Sequence, residues 1–282
     1  MNGRRKKISL SRIAVFLALL CVTAVFLLPF VWTFITSFKT DAEIYTDRII
    51  FIPSTITSQH YMRVLTQMES FIKYFRNSVV ISTISLIFVV IFSATMGYAL
   101  SKLKFRLKAA FLGVILFIMV LPQVIYLMPI YIMQLKVNLI DTRLGVILPY
   151  IAINLPMGIF IMRGQFNSVP DELCEAGIID GCNAWSVFSR VVLPCVKPGI
   201  ATVIIFTFMD TWGEFTFART LTSSITAQTL PVGIIFLRDE ARSWAYGTLS
   251  ATIVLAMLPV LVIFLSMQKY FVKGILEGAL KG

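Results

Sequence analysis

Residues 172–195 read ELCEAGIIDGCNAWSVFSRVVLPC, a charged stretch that interrupts a sequence otherwise dominated by apolar residues. Its residues favour helix, and long apolar runs precede and follow it. The chain has 282 residues, of which 58% are hydrophobic and only 14% are charged. Soluble domains carry about 25% charged residues, so this composition indicates a membrane protein.

Five runs without Asp, Glu, Lys or Arg are each long enough to cross a bilayer as a helix, which takes about 20 residues. They are residues 13–38, 77–101, 109–135, 144–162 and 243–268. A sixth span is predicted at 199–221, although it contains Asp210, Glu214 and Arg219. Barrel strands are only about 10 residues long and alternate in polarity. The sequence therefore predicts an all-α membrane protein with six transmembrane helices.

The distribution of Lys and Arg predicts the orientation of these spans. With a cytoplasmic N-terminus, 15 basic residues fall in inner segments and nine in outer segments, so both termini are expected in the cytoplasm. The predicted parts are a basic segment 1–12, a transmembrane domain 13–268 with a cytoplasmic loop at 164–198, and a cytoplasmic tail 269–282. Basic inner loops beside anionic lipid explain the net charge of +11 without a nucleic-acid partner.

Histidine and cysteine give no sign of a metal site. The single histidine, His60, falls in a predicted outer loop and is expected to be solvated. Cys174, Cys182 and Cys195 share the predicted cytoplasmic loop, but their spacing matches no common zinc motif and no histidine lies nearby. We therefore expect neither a metal nor another cofactor.

The charged stretch is predicted to form two short helices. Ser168 is the expected N-cap of the first, followed by Pro170 in its first turn and by Asp171 and Glu172 near its positive end. Gly181 is the expected stop, because a left-handed backbone costs glycine little.

The second helix is predicted to begin at an Asn183 cap and to carry an apolar face. Pro194 and Pro198 are expected to end it and to return the chain to the membrane. The residues of the apolar face are Trp185, Phe188, Val191 and Val192.

Two roles remain open for the first helix at this point. It could lie on the lipid surface, as many cytoplasmic loops do. Its acidic residues have the wrong sign for an anionic membrane, and Ala176 and Gly177 form a flat spot that another protein's backbone could approach. The second role, a docking helix for a protein partner, fits these residues better.

The segment EAGIIDG, followed after nine residues by VVLP, resembles the EAA loop of ABC-importer permeases. Gly177 stands where that pattern has its second Ala, and Val191 where it has Ile. The matching residues are Glu175, Ala176, Gly177, Gly181, Val191, Leu193 and Pro194.

The resemblance extends over most of the chain. The segments LLPFVWTFITSFK (27–39), NSVVISTISLIFVVIFSATMGYALSKLKF (77–105), LPQVIYLMPIYIM (121–133), TWGEF (211–215) and QKYFVKGILEGALKG (268–282) are similar to carbohydrate-type permeases. TWGEF and the tail point to the smaller, six-span subunit of the maltose-like subclass.

The resemblance implies a type I ABC importer permease in the inner membrane of a bacterial or archaeal cell. Its implied partners are a second permease subunit, a cytoplasmic ATPase dimer, an extracellular or periplasmic solute-binding protein and a carbohydrate. It implies that the EAA helix couples to the ATPase through Glu175, Ala176, Gly177, Asp180 and Gly181, with Leu193 and Pro194 completing the motif, and that residues 274–282 approach the same partner. The chain lacks a Gly-x-x-x-x-Gly-Lys-Ser/Thr loop, so no catalytic residue is expected and ATP hydrolysis is assigned to the partner.

Charged residues in the fifth predicted span allow two interpretations. Asp210 and Glu214 are four residues apart and are expected on one helix face, near Thr207 and Thr211. They could form a polar wall of the translocation path, because charges within a span are costly and usually functional. They could instead be structural, paired with Arg219 or with a partner subunit.

The resemblance of TWGEF favours a role for Trp212 and Glu214 in the path. Asn154 could also line the path, or it could hydrogen-bond a neighbouring helix. Four prolines are predicted to interrupt apolar helices: Pro122, Pro129, Pro156 and Pro259.

The leading hypothesis is thus a permease subunit of an ATP-driven sugar importer. One alternative is an ABC permease for another solute, such as a phosphodiester or a polyamine, because the coupling helix recognises the ATPase and not the cargo. A second alternative is an ion-coupled carrier that uses Asp210 and Glu214 as proton sites, and it leaves the acidic docking helix unexplained.

Overall fold

The computed structural model describes residues 10–240 and 246–279, and the regular structure within these residues is helical. Short π-helical segments cover Arg63–Gln67 and Val187–Val192, and 3-10 segments cover Gln123–Tyr126 and Leu193–Val196. The α-helices are α1 (Leu10–Thr36), α2 (Asp41–Ile44), α3 (Gln59–Met62), α4 (Glu69–Lys102), α5 (Lys108–Val120), α6 (Leu127–Lys136), α7 (Arg143–Asn167), α8 (Asp171–Ile179), α9 (Ala184–Ser186), α10 (Lys197–Gly213), α11 (Thr216–Leu221), α12 (Leu230–Glu240) and α13 (Tyr246–Ala279).

Within the described residues, five helices are long and apolar enough to cross a membrane, and counting a bent pair as one span makes six. The predicted membrane class is confirmed, with five to six candidate spans. The bent pair corresponds to the predicted span 109–135, which turns by 99° between Val120 and Gln123. Pro122 causes the break, since the residue before a proline avoids helical geometry and Leu121 has an extended φ of −76° and ψ of 131°.

The other three predicted prolines do not end a helix. Pro129 is the third residue of α6, and Pro156 and Pro259 lie inside α7 and α13, where each removes one backbone hydrogen bond. Pro194 and Pro198 do not end the helical run or return the chain at that point, because helical backbone continues through both of them, from Ala184 to Gly213.

The predicted span 199–221 has different boundaries in the structure. Helical backbone runs from Ala184 to Gly213, and Glu214 then adopts an extended conformation that separates α10 from α11. Helix α13 continues through the predicted boundary between residues 268 and 269 as far as Ala279. Residues 1–9 of the predicted basic segment and residues 280–282 of the tail lie outside the described residues.

The chain divides into two compact units, of which the first comprises Met1–Glu69 and Arg238–Leu255. In this unit His60 is fully buried, so the prediction of a solvated histidine is wrong. Its Nε2 donates to the carbonyl oxygen of Lys39 at 2.9 Å, and its Nδ1 lies 3.3 Å from the hydroxyl of Thr248. The imidazole is satisfied by these two partners instead of by water.

The second unit comprises Ser70–Leu237 and Ala256–Gly282 and includes α7 and nearly all of α4. These helices approach closely at two glycines. A Cβ on Gly97 would lie 2.7 Å from the Cβ of Met162, and one on Gly158 would lie 3.0 Å from the Cβ of Ser93. Small residues permit such close packing of membrane helices, where dispersion contacts replace the hydrophobic effect as the main attraction.

Candidate coupling helix and polar cluster

Helix α8 begins two residues later than a Ser168 cap would require. Ser168 is instead the C-cap of α7, and Pro170 is the N-cap of α8, with Asp171 and Glu172 in the first turn as predicted. Proline at this position sets an extended backbone (φ −57°, ψ 142°) that directs the chain into the new helix.

Gly181 ends α8 as the sequence predicts. Its φ is +82°, and its N–H donates to the carbonyl oxygen of Ile178 at 3.0 Å. The N–H of Cys182 donates to the carbonyl oxygen of Gly177, also at 3.0 Å. These two bonds form a Schellman motif, which satisfies carbonyl groups at the helix end and requires a left-handed residue at this position.

The second short helix is capped as predicted, because the side-chain oxygen of Asn183 accepts from the N–H of Ser186 at 2.8 Å. Its apolar face is only partly as predicted. Phe188 and Val192 are buried and Val191 is half-buried, whereas Trp185 is 66% exposed. Leu193 packs against the same core, and Pro194 is exposed in the 3-10 segment that leads to α10.

Gly177 does not contribute to an outer flat spot, contrary to the prediction. It is buried, and a Cβ placed on it would lie 3.4 Å from Val187 and 3.5 Å from Val191. The small residue therefore serves the packing of α8 on the following π-helical segment. Ala176, by contrast, is exposed.

The exposed surface of α8 contains apolar residues that sequence analysis missed. Ile178 is 62% exposed and Ile179 is 85% exposed, beside the exposed Glu175, Ala176 and Asp180. Two adjacent isoleucines at the end of a short helix that carries three acidic residues are the sequence signal that could have identified this surface. We call Glu175, Ala176, Ile178 and Ile179 the α8 surface.

An ion pair fixes the first turn of α8 to the end of α4. The Lys102 ammonium lies 2.5 Å from the Asp171 carboxylate and also donates to the carbonyl oxygen of Val169. The Lys102 side chain is 8% exposed and that of Asp171 is 79% exposed. The hydrogen bond and charge of Lys102 lower the pKa of Asp171, so the carboxylate is charged at neutral pH.

Aromatic rings connect the following segment to the same two long helices. The ring of Tyr98 on α4 lies 5.6 Å from the ring of Phe166 on α7 and 5.0 Å from that of Phe188. Contacts at these distances stabilise a buried cluster beyond the area that they bury. Helix α8 is thus mounted on a packed core, with its α8 surface facing outward.

The polar cluster between α7 and α10 differs from the prediction. Glu214 lies at the break after α10, so it does not share a helix face with Asp210. Its carboxylate accepts from the hydroxyl of Tyr150 at 2.7 Å and from the N–H groups of Phe217 and Ala218 at 2.7 and 3.0 Å. Glu214 therefore caps α11 and is not bound to Arg219.

Asp210 is exposed on α10 and accepts from the side-chain amide of Asn154 at 2.9 Å. The same amide also donates to the carbonyl oxygen of Tyr150 at 3.0 Å. Asn154 thus bonds a neighbouring helix, and the pair presents a carboxylate beside an amide on an otherwise apolar surface.

The three other predicted path residues are buried. The hydroxyl of Thr211 donates to the carbonyl oxygen of Thr207 at 2.8 Å, and the indole N–H of Trp212 donates to the carbonyl oxygen of Ala256 at 3.0 Å. Thr207, Thr211 and Trp212 are 3%, 2% and 6% exposed, so they pack within this chain and do not join Asp210 in a polar wall.

Residues 89–277 match the family described as the inner membrane component of binding-protein-dependent transport systems. This match covers the candidate coupling helix and most of the predicted spans. The chain belongs to this family. It is therefore a multi-pass component of a transporter and not an enzyme, and ATP hydrolysis belongs to a partner protein.

Relatives and a solved structure agree with this assignment. The chain is 37% identical to a putative ABC transporter permease of Caldicellulosiruptor sp. over 90% of this chain and 91% of the relative. It is 31% identical to the arabinooligosaccharide transport permease AraQ of Halalkalibacterium halodurans, over 94% of each chain. It has the fold of a bacterial ABC transporter chain involved in alginate import, with a TM-score of 0.82, 23% identity and coverage of 94% of this chain and 99% of that one.

Proposed function

We propose that this chain couples the closure of a cytoplasmic ATPase to the import of a sugar or an oligosaccharide. The observation that carries the coupling role is the α8 surface, an exposed apolar and acidic patch on a helix held to the membrane core. Family membership supports a transport role. The names of the arabinooligosaccharide permease and of the alginate transporter support a carbohydrate cargo.

The α8 surface has the composition of a docking site for a protein. Fully burying an isoleucine side chain stabilises a complex by about 1.5–3 kcal/mol before the costs of association. Binding of Ile178 and Ile179 in a complementary cleft of a partner protein is therefore favourable. Glu175 would pair with a basic group of the ATPase. When ATP closes the ATPase dimer, a docked α8 would move with it and favour one of two arrangements of the bundle.

The remaining partners follow from the same proposal. A second permease would cover apolar surface that this chain leaves exposed, and a solute-binding protein would deliver the cargo on the outer side. We keep the predicted orientation, with residues 164–198 and both termini in the cytoplasm. The Asn154–Asp210 pair would offer hydroxyl-binding groups to a passing sugar, because an exposed carboxylate is unfavourable against lipid.

The coupling role is tested by comparing Glu175→Gln with Glu172→Gln. Both residues are exposed on α8, and only Glu175 belongs to the α8 surface. We expect Glu175→Gln to reduce copurification of the ATPase in mild detergent and to reduce sugar uptake, while Glu172→Gln preserves both. Equal and normal behaviour of the two variants would show that α8 is a lipid-surface helix.

The cargo class is tested separately with the wild-type complex in proteoliposomes. The probes are arabino-oligosaccharides, trehalose, alginate oligosaccharides, a polyamine and a glycerophosphodiester, each added with the solute-binding protein. Stimulation of ATP hydrolysis by a carbohydrate supports the proposal. Stimulation only by the polyamine or the phosphodiester would overturn the carbohydrate assignment while leaving the coupling role intact.

A further inference from the structure

Helix α4 is continuous over 34 residues and contains no proline. At 1.5 Å per residue it is about 50 Å long, which exceeds the thickness of the hydrocarbon core of a bilayer. The other helices of more than 20 described residues, α1, α7 and α13, each contain at least one internal proline. The α4 backbone therefore lacks the usual cause of a sharp kink.

One end of α4 is bonded directly to the start of the candidate coupling helix. Lys102, its last residue, binds both the carbonyl oxygen of Val169 and the carboxylate of Asp171. The preceding Ser101 donates to the side-chain oxygen of Asn167 at 2.6 Å. Because the Lys102 side chain is nearly buried, loss of its acidic partner would leave a poorly solvated charge.

About two turns inside its other end, α4 is bonded to the loop that separates α11 from α12. The side-chain amide of Asn77 donates to the carbonyl oxygens of Ile225 and Gln228, each at 2.9 Å. Its side-chain oxygen accepts from Nε of Arg143 at 3.0 Å, so the donors and the acceptor of this buried side chain are all used. The neighbouring Ser78 hydroxyl accepts from the N–H of Leu230 at 2.7 Å.

We propose that α4 transmits conformational change between α8 and the 222–229 loop, with Lys102 at its last residue and Asn77 two turns inside its other end as the positioning residues. This inference rests on the proposed coupling function of α8. A continuous helix that is bonded at both of these positions moves as one body, so displacement of α8 reaches the distant loop without an intermediate hinge. Neither residue is part of the EAA motif, and they are separated by 25 positions in one helix.

The first test concerns the Lys102 end. Asp171→Asn removes the charge of an exposed carboxylate and keeps a side-chain oxygen that can accept from Lys102, and Glu172→Gln is its control on the same helix turn. Membrane level and thermal stability of both variants separate an effect on coupling from a folding defect. We expect Asp171→Asn and Lys102→Met to lower the stimulation of ATP hydrolysis by sugar-loaded solute-binding protein, relative to unstimulated hydrolysis, by about fivefold or more. Lys102→Arg retains a charged donor and should restore much of the stimulation. Unchanged stimulation in Asp171→Asn would overturn the inference.

The second test concerns the Asn77 end. Asn77→Asp keeps the size and the Arg143 contact but replaces the donors that bind two carbonyl groups. Ser82→Ala is its control, because Ser82 is buried on the same helix and its hydroxyl has no hydrogen-bond partner among the residues that the structure describes. We expect Asn77→Asp to lower the same stimulation ratio and Ser82→Ala to preserve it. Membrane levels and thermal stability of each variant separate this effect from a folding defect.

A double variant of Asn77→Asp and Asp171→Asn decides whether the two ends belong to one path. If α4 carries the change, the second substitution adds little to the first, because the connection is already broken. Fully additive losses would overturn the inference. If Glu175→Gln also leaves transport and ATPase binding normal, the proposed coupling function itself fails. If Glu175→Gln impairs coupling and the α4 variants do not, only the role of α4 fails.

Discussion

Two glycines, one inside α8 and one just after it, allow the same substitution to be made with opposite expected results. Gly177 has helical backbone, and a Cβ on it would make ordinary contacts at 3.4 Å with Val187 and 3.5 Å with Val191. Replacing an interior helical glycine by alanine stabilises a helix by up to about 1 kcal/mol. Gly181 has open space around it, but its φ of +82° is strained for any residue with a Cβ. A left-handed conformation costs an L-residue about 1–2 kcal/mol.

Gly177→Ala is therefore expected to strengthen the end of α8, and Gly181→Ala to weaken it. The difference between the two variants is about 2 kcal/mol, which corresponds to about a 30-fold difference in the equilibrium for local opening. Hydrogen exchange of the Cys182 amide reports this opening, because that N–H donates to the carbonyl oxygen of Gly177. Exchange should be faster than wild type in Gly181→Ala and slower in Gly177→Ala.

The transport assay adds a second measurement to the same pair. Gly177→Ala restores the second alanine of the EAA pattern at a position that packs inward, so ATPase binding should be retained. Gly181→Ala should reduce coupling in proportion to the loss of the helix end. The reasoning would be refuted by equal exchange of Cys182 in the two variants, or by loss of ATPase binding in Gly177→Ala with normal exchange.

Three further outcomes follow from the described contacts. Glu214→Gln should lower the free energy of unfolding by about 1–3 kcal/mol, because the Tyr150 hydroxyl and two backbone N–H groups lose a charged acceptor. Melting curves of the variant and of wild type, recorded under the same conditions, measure the difference. Thr226→Cys, at an exposed position in a predicted outer loop, should react with an impermeant thiol reagent in intact cells. Labelling only after lysis would show that the actual topology is the reverse of the predicted one. Burial raises the pKa of Asp141, but hydrogen bonds from the N–H groups of Ser224 and Ser223 outweigh burial, so the pKa lies below its ordinary value. The charged carboxylate therefore stabilises the fold above about pH 4, and this stabilisation is lost as the pH falls through the lowered pKa. Hydrogen exchange of the Ser223 and Ser224 amides, measured as a function of pH, follows the loss.

The helix caps are the features of the coupling segment that the sequence predicted correctly. Gly181 and Asn183 act through their own backbone and side chain over a few residues, and both behave as the sequence indicated. The start of α8 was misplaced because Ser168 and Pro170 both suit a helix N-terminus, and only the actual path of α7 decides between them.

Contacts between distant residues explain most of the errors. Glu214 leaves the helix because its carboxylate caps α11, and four-residue spacing alone cannot reveal that choice. His60 is buried through partners 21 and 188 residues away. The ion pair of Lys102 with Asp171 spans 69 residues, so neither side chain identifies the other in the sequence.

The spacing of the EAA-like segment places some of its residues on the inner face of α8, against the rest of the chain, and others on the exposed outer face. Residue 177 faces inward, where only a small side chain fits at ordinary contact distance, while residues 175, 176, 178 and 179 face outward and present charge and apolar area. Residue 181 acts through its backbone and holds the carbonyl end of the helix closed. A docking helix needs both sides, because an outer surface that binds a moving partner transmits force only if the inner side is fixed to the membrane core. Helix α8 meets this condition through Gly177 on one side and the Lys102–Asp171 ion pair at its first turn, so loss of the ion pair, or a side chain larger than alanine at residue 177, is expected to weaken coupling even where ATPase binding is retained.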